Sequence, residues 1–374
     1  MAMIIKRDYY LQQLISSKSN NLIKIVTGIR RSGKSFLLFN LFHNHLIETG
    51  VSEDHIIEIA LDDRLNKNLR DPDVILQHIH ERIVDDKLYY IILDEVQMID
   101  EFTDVLNSLL HIRNADVYVT GSNSKFLSKD VVTEFRGRGD EIHLFPLSFA
   151  ELYNSLGGDK LELWKSYYTY GGLPGILELD GEKKKAAYLR SLHETVYLKD
   201  IIERNNLKNS EEFMELMRVM ASCIGSPCNP SKLEKTFKSV KNETLDRKTI
   251  SKYLSYMEDA FLIEKSMRYD VKGRKYIGTL SKYYFQDIGL RNALLNFRQV
   301  EENHIMENVI YNELRLRGFC VDVGMVETRT ATERKQLEVD FVANMADRRY
   351  YIQSAFAMPD DDKREQESAS LKRI

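Results

Sequence analysis

Residues 28–35 read Gly-Ile-Arg-Arg-Ser-Gly-Lys-Ser and directly follow a short apolar run at residues 22–27. The run is predicted to be a strand, and residues 33–46 are predicted to form a helix. The octapeptide fits the pattern GxxxxGK[ST], which in this position between strand and helix is typical of a phosphate-binding loop rather than of an ordinary glycine turn. The pattern therefore predicts an α/β domain near the amino terminus.

The residue types of this loop suit the phosphates of a nucleotide. Glycines at positions 28 and 33 let the backbone curl so that successive N–H groups converge on one phosphate. Lys34 supplies a cation for the β- and γ-phosphates, and the Ser35 hydroxyl is a ligand for Mg²⁺. We therefore expect ATP and Mg²⁺ as cofactors. The expected ATP-binding residues are Gly28, Ile29, Arg30, Arg31, Ser32, Gly33, Lys34 and Ser35.

The first 150 residues alternate between apolar runs and amphipathic segments. Helices are predicted near residues 72–85 and 101–112. Strands are predicted at residues 22–27, 55–61, 88–93, 116–120 and 141–145. The third of these is almost continuously apolar, as strands buried on both faces of a parallel sheet are. This alternation indicates βαβ units and a parallel sheet.

Asp94 and Glu95 stand at the carboxyl end of the most apolar strand. A carboxylate pair at a strand end is common on protein surfaces, but here it follows a phosphate loop and a buried strand. We therefore expect Asp94 to hold Mg²⁺ through its water shell and Glu95 to act as the general base toward the attacking water. A general base at this position favours hydrolysis over phosphoryl transfer to a second substrate.

Two further segments offer catalytic side chains. The strand at 116–120 is followed by Ser122 and Asn123, either of which could orient the water or sense the γ-phosphate, although a plain turn explains them as well. Arg136 and Arg138 precede the last strand. Either could complete the ATP site of a neighbouring subunit, or both could be solvated on a glycine loop.

After Pro146 the pattern becomes mostly helical. Helices between about 210 and 265 precede two strands joined by residues 271–274, and this order indicates a winged helix-turn-helix. Its basic residues could contact DNA phosphates, or the module could pack against protein only. These basic residues are Arg247, Lys248, Lys252, Lys272 and Arg274.

The whole chain has a formal net charge of −4, so any nucleic-acid contact must be local. Its three cysteines, at positions 223, 228 and 320, indicate free thiols in a reducing compartment rather than a disulfide framework. The first apolar run breaks at Lys6, which argues against a signal peptide, and no apolar run is long enough to cross a bilayer. We expect a cytoplasmic protein with no membrane partner.

Several motifs together resemble the prokaryotic AAA-superfamily ATPases that carry a carboxy-terminal, restriction-endonuclease-like domain. In chain order they are GIRRSGKS, YYIILDEVQ, VYVTGSNS, FRGRG leading into HLFPLSFAEL, and YGGLPGIL. The resemblance covers nearly the whole chain. It identifies residues 28–35 as the Walker A loop and Asp94 and Glu95 as Walker B. It also makes Asn123 or Ser122 the first sensor and Arg136 or Arg138 the arginine-finger candidate.

The resemblance implies an α/β architecture in four parts. The first part is a P-loop NTPase (AAA-type) parallel-sheet domain, residues 1–155. A helical lid region follows at residues 156–209, and its signature motif begins at Gly171. A winged-helix-like domain, 210–298, and a small α/β nuclease-like domain, 299–374, complete the chain. The sequence stops where a restriction-type sheet normally continues, so the last domain is expected to be truncated.

In the last domain, Glu307, Asp340 and Gln353 fall where such nucleases place their acidic residues. Two-metal hydrolysis of a phosphodiester needs carboxylates and a lysine. Here Gln353 replaces an acid and Ala355 replaces the lysine. We expected Glu338 to lie on the opposite strand face from Asp340 and so not to compensate. The positions are therefore interpreted as degenerate, and nuclease activity is not expected.

These observations favour an ATPase that couples Mg²⁺-dependent hydrolysis to a conformational change on DNA or a protein partner, with a homo-oligomer as one form. Two alternatives remain at this point. One is a nucleotide-binding regulatory switch that oligomerises with little turnover. The other is a nuclease gated by ATP.

Overall fold

The computed structural model describes residues 4–121, 137–241, 245–329, 334–358 and 360–374. The chain divides into two units, Met1–Leu156 and Gly157–Ile374. The first division expected from the sequence lies one residue away, after residue 155. Among the described residues, no helix has the length and apolar character needed to cross a membrane.

The first unit is built on a five-stranded sheet in which every pairing is parallel. Its strands are β1 (Ile23–Thr27), β2 (Ile56–Ala60), β3 (Tyr89–Asp94), β4 (Ala115–Thr120) and β5 (Gly139–His143). The spatial order is β2-β3-β4-β1-β5. The predicted parallel α/β sheet is therefore confirmed, with boundaries shifted by one or two residues.

Burial explains why the central strands read as apolar runs. All residues of β1 and β3 are buried, because helices cover both faces of a parallel sheet. One face packs into a large aliphatic cluster that includes Ile25, Ile91 and Val119. This cluster fixes the sheet against the helices and thereby fixes where the strand ends lie.

The helices of the first unit follow the predicted alternation. They are α1 (Asp8–Ser16), α2 (Lys34–Phe36), α3 (His43–Glu48), α4 (Pro72–Arg82), α5 (Phe102–Leu109) and α6 (Phe149–Leu156). A π-helical turn, Leu37–Phe42, joins α2 to α3. Helix α4 begins where predicted because Pro72 occupies its first position and the Asp71 carboxylate accepts hydrogen bonds from the first free N–H groups. Helix α1 was not predicted, although its Tyr10 and Leu14 are buried.

The second unit contains a mixed five-stranded sheet in the order β10-β9-β8-β6-β7. Its strands are β6 (Ile263–Asp270), β7 (Lys275–Phe285), β8 (Cys320–Arg329), β9 (Arg334–Met345) and β10 (Arg348–Ile352). Strands β6 and β7 form the predicted hairpin, but β6 also pairs in parallel with β8. One sheet thus crosses the division expected at residues 298/299, and a winged helix separate from the last domain is not confirmed.

The second unit also contains helices. They are α7 (Lys160–Tyr170), α8 (Glu182–Leu192), α9 (Lys199–Asn205), α10 (Ser210–Ser222), α11 (Pro230–Thr236), α12 (Arg247–Asp259), α13 (Ile288–Leu294), α14 (Glu302–Leu316) and α15 (Asp361–Ser368). The predicted helix near residue 250 is present, and its Ile250, Leu254 and Met257 are buried as its spacing indicates.

The glycine pair that follows α7 packs around a buried carboxylate. Asp287 accepts hydrogen bonds from the backbone N–H groups of Gly172, at 2.8 Å, and Leu290, at 2.9 Å. A Cβ atom on Gly171, whose φ is +77°, would lie 2.4 Å from the Asp287 Oδ1 atom. The Gly171-Gly172 signature is therefore required by the packing of this turn against Asp287.

We expect Asp287→Asn to lower the free energy of unfolding by about 1–3 kcal/mol, because an amide NH₂ would face backbone donors. Burial raises the pKa of Asp287 to about 6 although backbone N–H groups oppose the shift. The pKa of Asp287 in the folded state lies above its usual value of 3.8. The contribution of this carboxyl to the free energy of unfolding is therefore largest below pH 3.8, and this contribution is lost as the pH rises through about 6. The wild-type minus variant difference in Tm should thus be larger at pH 4.5 than at pH 7.5.

Thermal unfolding followed by circular dichroism measures both effects. Asp347→Asn, a change at an exposed carboxylate in the same unit, is the matched control. Equal melting temperatures for the Asp287 variant and the wild type would contradict a structural role for this carboxylate.

Candidate nucleotide-binding site

The loop at residues 28–35 can be formed only with glycine at two positions. Gly28 has a φ of +135°, and a Cβ atom there would lie 2.2 Å from the carbonyl oxygen of Leu144. Gly33 has a φ of +98° and immediately precedes the first residue of α2, Lys34. The loop therefore joins the end of β1 to the amino end of a helix, as the sequence predicts for a phosphate-binding loop.

The Lys34 side chain folds back along this loop. Its ammonium donates hydrogen bonds to the main-chain oxygens of Gly28, at 3.0 Å, and Ile29, at 3.2 Å. Burial lowers the pKa of Lys34 to about 8, while the carboxylates of Glu95 and Asp94 oppose this shift. A buried cation with mainly neutral partners is well suited to an anionic ligand.

Three oxygen-bearing side chains meet beside Lys34. The Ser35 hydroxyl donates to Asp94 Oδ2 at 2.7 Å, and the Thr120 hydroxyl donates to Asp94 Oδ1 at 2.5 Å. Burial raises the pKa of the Asp94 carboxyl, and both hydroxyls oppose that shift. The sheet order explains the meeting, because β4 lies between β1 and β3 and parallel strands end at the same edge.

Thr120 was not singled out from the sequence, where attention fell on the residues after it. Its hydroxyl contacts both Asp94 and Glu95, since its oxygen also accepts a hydrogen bond from the backbone N–H of Glu95 at 2.9 Å. The sequence signal that could have identified Thr120 is its position at the end of β4, the strand that pairs with the strand ending at Asp94.

Glu95 adopts a left-handed backbone conformation with a φ of +53°. Such a conformation costs a residue with a side chain on the order of 1 kcal/mol and is found preferentially at functional sites. The Gln97 amide donates a hydrogen bond to the Glu95 carboxylate. The structure thus holds this carboxylate directly after the Asp94 strand end, and its role as the general base stays a prediction.

The donor set fits ATP with Mg²⁺. Ser35 and Asp94 present hard oxygen atoms, which Mg²⁺ prefers, and they lie 2.7 Å apart. The loop offers backbone N–H groups, the amino end of α2 and a buried cation for phosphate oxygens. Ser35 and Asp94 would hold the metal, and Lys34 would contact the phosphates.

The remaining predicted catalytic residues are Ser122, Asn123, Arg136 and Arg138. Ser122, Asn123 and Arg136 lie outside the described residues. Arg138 is exposed and donates to the Asn107 side chain at 3.2 Å. It directly precedes β5, whose register with β1 places it at the amino edge of the sheet, opposite the phosphate loop. Arg138 therefore does not serve its own chain's site, and a role in a neighbouring subunit's site stays a prediction.

In the second unit, the three predicted nuclease-like positions are brought together. Glu307, Asp340 and Gln353 line one cavity of about 530 Å³. Asp340 Oδ2 accepts hydrogen bonds from the backbone N–H and the hydroxyl of Ser354, both at 2.8 Å. The sequence pattern thus picked out three residues that lie together in the structure.

The expectation for Glu338 was wrong. Residues 338 and 340 are two apart in β9 and therefore share a face, because side chains alternate with a period of two. The structure shows Glu338 Oε1 at 2.7 Å from the Lys282 ammonium, which also lies 2.8 Å from Glu307 Oε1. Lys282, a residue of β7 that the sequence analysis missed, therefore joins two carboxylates at this cluster.

Lys282 is a buried, permanent cation. Burial lowers its pKa, but the carboxylates of Glu307 and Glu338 more than offset this, so that the pKa is raised. The pKa of Glu307 is raised, mainly by burial, although Lys282 opposes the shift. Among the described residues, no group of three His, Cys, Asp or Glu side chains is placed to hold a metal ion. The Lys282 ammonium already neutralises the charge that such an ion would compensate.

The basic residues predicted to face DNA are exposed, which is compatible with phosphate contacts and with simple solvation. They are Arg247, Lys248, Lys252, Lys272 and Arg274. Three lie on α12 and two in the turn between β6 and β7. DNA contact by these residues stays a prediction.

We expect Lys282→Met to lower the free energy of unfolding by about 3–5 kcal/mol, because it leaves two carboxylates facing each other without a cation. The double variant Lys282→Met with Glu307→Gln should recover part of this loss. Urea denaturation measures both values, and Lys272→Met, at an exposed lysine of the adjacent turn, is the control. A Lys282→Met protein as stable as the wild type would refute the compensation.

Comparison with known proteins agrees with this geometry. Residues 20–153 match the model of an AAA domain, and residues 161–301 match a domain of unknown function, DUF8612. An uncharacterised protein of Haemophilus influenzae is 33% identical over 365 residues, which cover 96% of this chain and 88% of that protein. An uncharacterised protein of Methanocaldococcus jannaschii is 29% identical over 391 residues, which cover 100% of this chain and 82% of that protein.

Solved structures give weaker similarities. The Aeropyrum pernix ORC2 protein, in ADPNP–ADP complexes, is 15% identical with a TM-score of 0.40, covering 82% of this chain and 92% of that one. The Saccharomyces cerevisiae Hsp104:casein complex is 12% identical with a TM-score of 0.36, covering 74% and 58%.

The AAA-domain match spans the phosphate loop, Asp94 and Thr120. This match agrees with the parallel sheet and its site, and the Haemophilus influenzae protein extends the similarity over nearly the whole chain. The chain belongs to the family of that Haemophilus influenzae protein, and its first unit is a P-loop AAA domain.

Proposed function

We propose that this protein hydrolyses ATP with Mg²⁺ at the carboxyl edge of its first sheet. The observation that carries the proposal is the oxygen cluster of Ser35, Asp94 and Thr120 beside the buried Lys34 ammonium. Among the described residues, this is where a phosphate loop, a metal-type oxygen pair and a carboxylate base come together.

Each side chain has a separate task in this reaction. Lys34 leaves the carbonyl oxygens of Gly28 and Ile29 and donates to phosphate oxygens, where its charge is worth more because water is excluded. Ser35 and Asp94 would hold the metal through the oxygen atoms that hydrogen-bond to each other in the structure. Mg²⁺, when bound, neutralises charge on the β- and γ-phosphates.

Glu95 accepts the proton of the attacking water. Its carboxylate follows Asp94 directly, and the Thr120 hydroxyl, which accepts the Glu95 N–H, holds the two acids in fixed relation. Without such a base the same site would bind nucleotide and turn it over slowly. The alternative of a binding switch therefore differs from the proposal in the role of one side chain.

We propose further that hydrolysis drives a conformational change on a protein or DNA partner, in a homo-oligomer whose sites Arg138 completes from the neighbouring chain. The exposure of Arg138 at the sheet edge opposite its own phosphate loop supports such an arrangement. The exposed basic residues of the second unit support DNA as one partner. Nuclease activity is not expected, because Gln353 and Ala355 replace an acid and the lysine, and Lys282 pairs with Glu307 and Glu338.

Lys34→Ala should abolish binding of MgATP, because the buried cation that meets the phosphates is lost. Isothermal titration calorimetry measures the affinity directly. Lys67→Ala, at an exposed lysine of the same unit, should bind like the wild type. Unchanged affinity in the Lys34 variant would place the nucleotide elsewhere.

Glu95→Gln should keep its affinity for MgATP and lose roughly 100-fold or more in kcat, since general-base catalysis contributes on that scale. Phosphate release measures kcat, with and without duplex DNA. Glu101→Gln is a close control because Glu101 is exposed and has a similar positive φ of +52°. If wild-type protein binds MgATP but releases no phosphate under either condition, the binding switch replaces the ATPase.

A further inference from the structure

Arg7 is a buried charge with no task in the mechanism above. Only 4% of it is exposed, although its neighbours Lys6 and Asp8 are exposed. An arginine is almost never buried unless its charge is paired and its donors are used. Its partners therefore show what the amino-terminal segment does.

The guanidinium joins three parts of the first unit. It donates to the main-chain oxygen of Phe145 at 2.7 Å and forms an ion pair with Glu151, Nε to Oε1, at 2.7 Å. Its carbon lies 4.6 Å from the centre of the Tyr10 ring. The Arg7 Nη1 atom donates a hydrogen bond to the main-chain oxygen of Ser32, a residue of the phosphate loop, at 3.3 Å.

The contact with Ser32 constrains the peptide that joins Ser32 to Gly33. In a trans peptide the carbonyl and the N–H point in opposite directions. Because the Ser32 carbonyl points at Arg7, the Gly33 N–H must point away from Arg7, toward the side of the loop that faces phosphate under the proposed function. Gly33 has no side chain to hold this peptide by itself, so an external donor is useful there.

Arg7 is itself held by a fixed point. Glu151 Oε2 accepts the N–H of Ser148 at 2.9 Å and its hydroxyl at 3.0 Å, while the Ser148 hydroxyl accepts the Glu151 N–H at 3.1 Å. This is a capping box at the start of α6. Glu151 Oε2 thus caps the start of α6, and Glu151 Oε1 pairs with Arg7.

The same segment supports the base of the loop. The Phe145 N–H donates to the Tyr10 hydroxyl at 3.1 Å, and Leu144 provides the carbonyl against which Gly28 packs. The HLFPLSFAEL motif, residues 143–152, therefore lies behind the phosphate loop, and Arg7 connects the two.

We propose that Arg7 is a positioning residue that sets the Ser32–Gly33 peptide of the phosphate loop, with the Ser148–Glu151 capping box as its anchor. The proposal rests on the proposed function, because the loop must bind phosphate for its geometry to matter. The guanidinium acts through its hydrogen bond to the loop.

The test compares Arg7→Met, Arg7→Lys and the neighbouring control Lys6→Met in the full chain. Lysine keeps the charge near Glu151, but one ammonium cannot replace the planar fork that serves Glu151, Phe145 and Ser32 together. Calorimetry with MgADP and MgATP gives affinity, phosphate release gives KM and kcat, and circular dichroism confirms folding. In glycine-labelled protein, the Gly33 amide resonance reports on the peptide itself.

We expect Arg7→Met to weaken MgADP binding roughly tenfold or more and to raise KM more than it lowers kcat, because a misplaced loop loses phosphate contacts. Arg7→Lys should be intermediate, with a shifted Gly33 amide resonance, and Lys6→Met should match the wild type. These results with folded proteins support the positioning role.

A folded Arg7→Met protein that binds MgADP within about twofold of the wild type would overturn the proposal. If Arg7→Met does not fold, Arg7→Lys decides: wild-type affinity and an unshifted Gly33 amide in that variant also overturn it. Failure of both wild-type and Lys6→Met proteins to bind either nucleotide is a separate outcome. It rejects the proposed function, and the positioning role falls with it.

Discussion

Parallel pairing of β1, β4 and β3 brings the ends of these strands to one edge of the sheet, and the candidate site depends on this register. Val26 pairs with Thr120, and Leu93 pairs with Val119. The hydroxyls of Ser35 and Thr120 consequently each donate a hydrogen bond to a different oxygen of Asp94. A slip of one residue in any of these strands would turn the side chain at its end to the other face.

The site also depends on contacts between the phosphate loop and residues outside it. Gly28 packs on the Leu144 carbonyl, and the Arg7 guanidinium reaches Ser32 from the same side. A phosphate-binding loop presents backbone N–H groups whose directions are not fixed by side chains of its own. Residues far away in the sequence must therefore hold its peptides, and here they come from the amino-terminal segment and the start of α6.

The second unit illustrates how buried charge is tolerated when each group has a partner. Asp287 is surrounded by backbone N–H donors, and Lys282 lies between Glu307 and Glu338. Removing one partner from such a group costs more than the pair contributes as a whole, since an unpaired charge remains. Motif-like residues in this unit, including Gly171 and Glu307, thus take part in packing and charge compensation.

The sequence by itself determined the local elements that have strong short-range signals. The glycine pattern at 28–35, the apolar run that ends at Asp94 and the Pro72 helix start were predictable because each follows from backbone freedom or periodicity within a few residues. The parallel sheet followed from the alternation of these elements.

Only the tertiary structure decided which distant residues meet. The hydrogen bonds of Thr120 to Asp94, of Arg7 to Ser32 and of Lys282 to Glu307 each join residues that lie 25 or more positions apart in the chain. Pairing of β6 with β8 likewise joined segments that the helix–hairpin pattern had assigned to separate domains. The strand register likewise decided that Arg138 lies at the sheet edge opposite the phosphate loop of its own chain. Local sequence encodes conformation, whereas such contacts depend on how strands order in space.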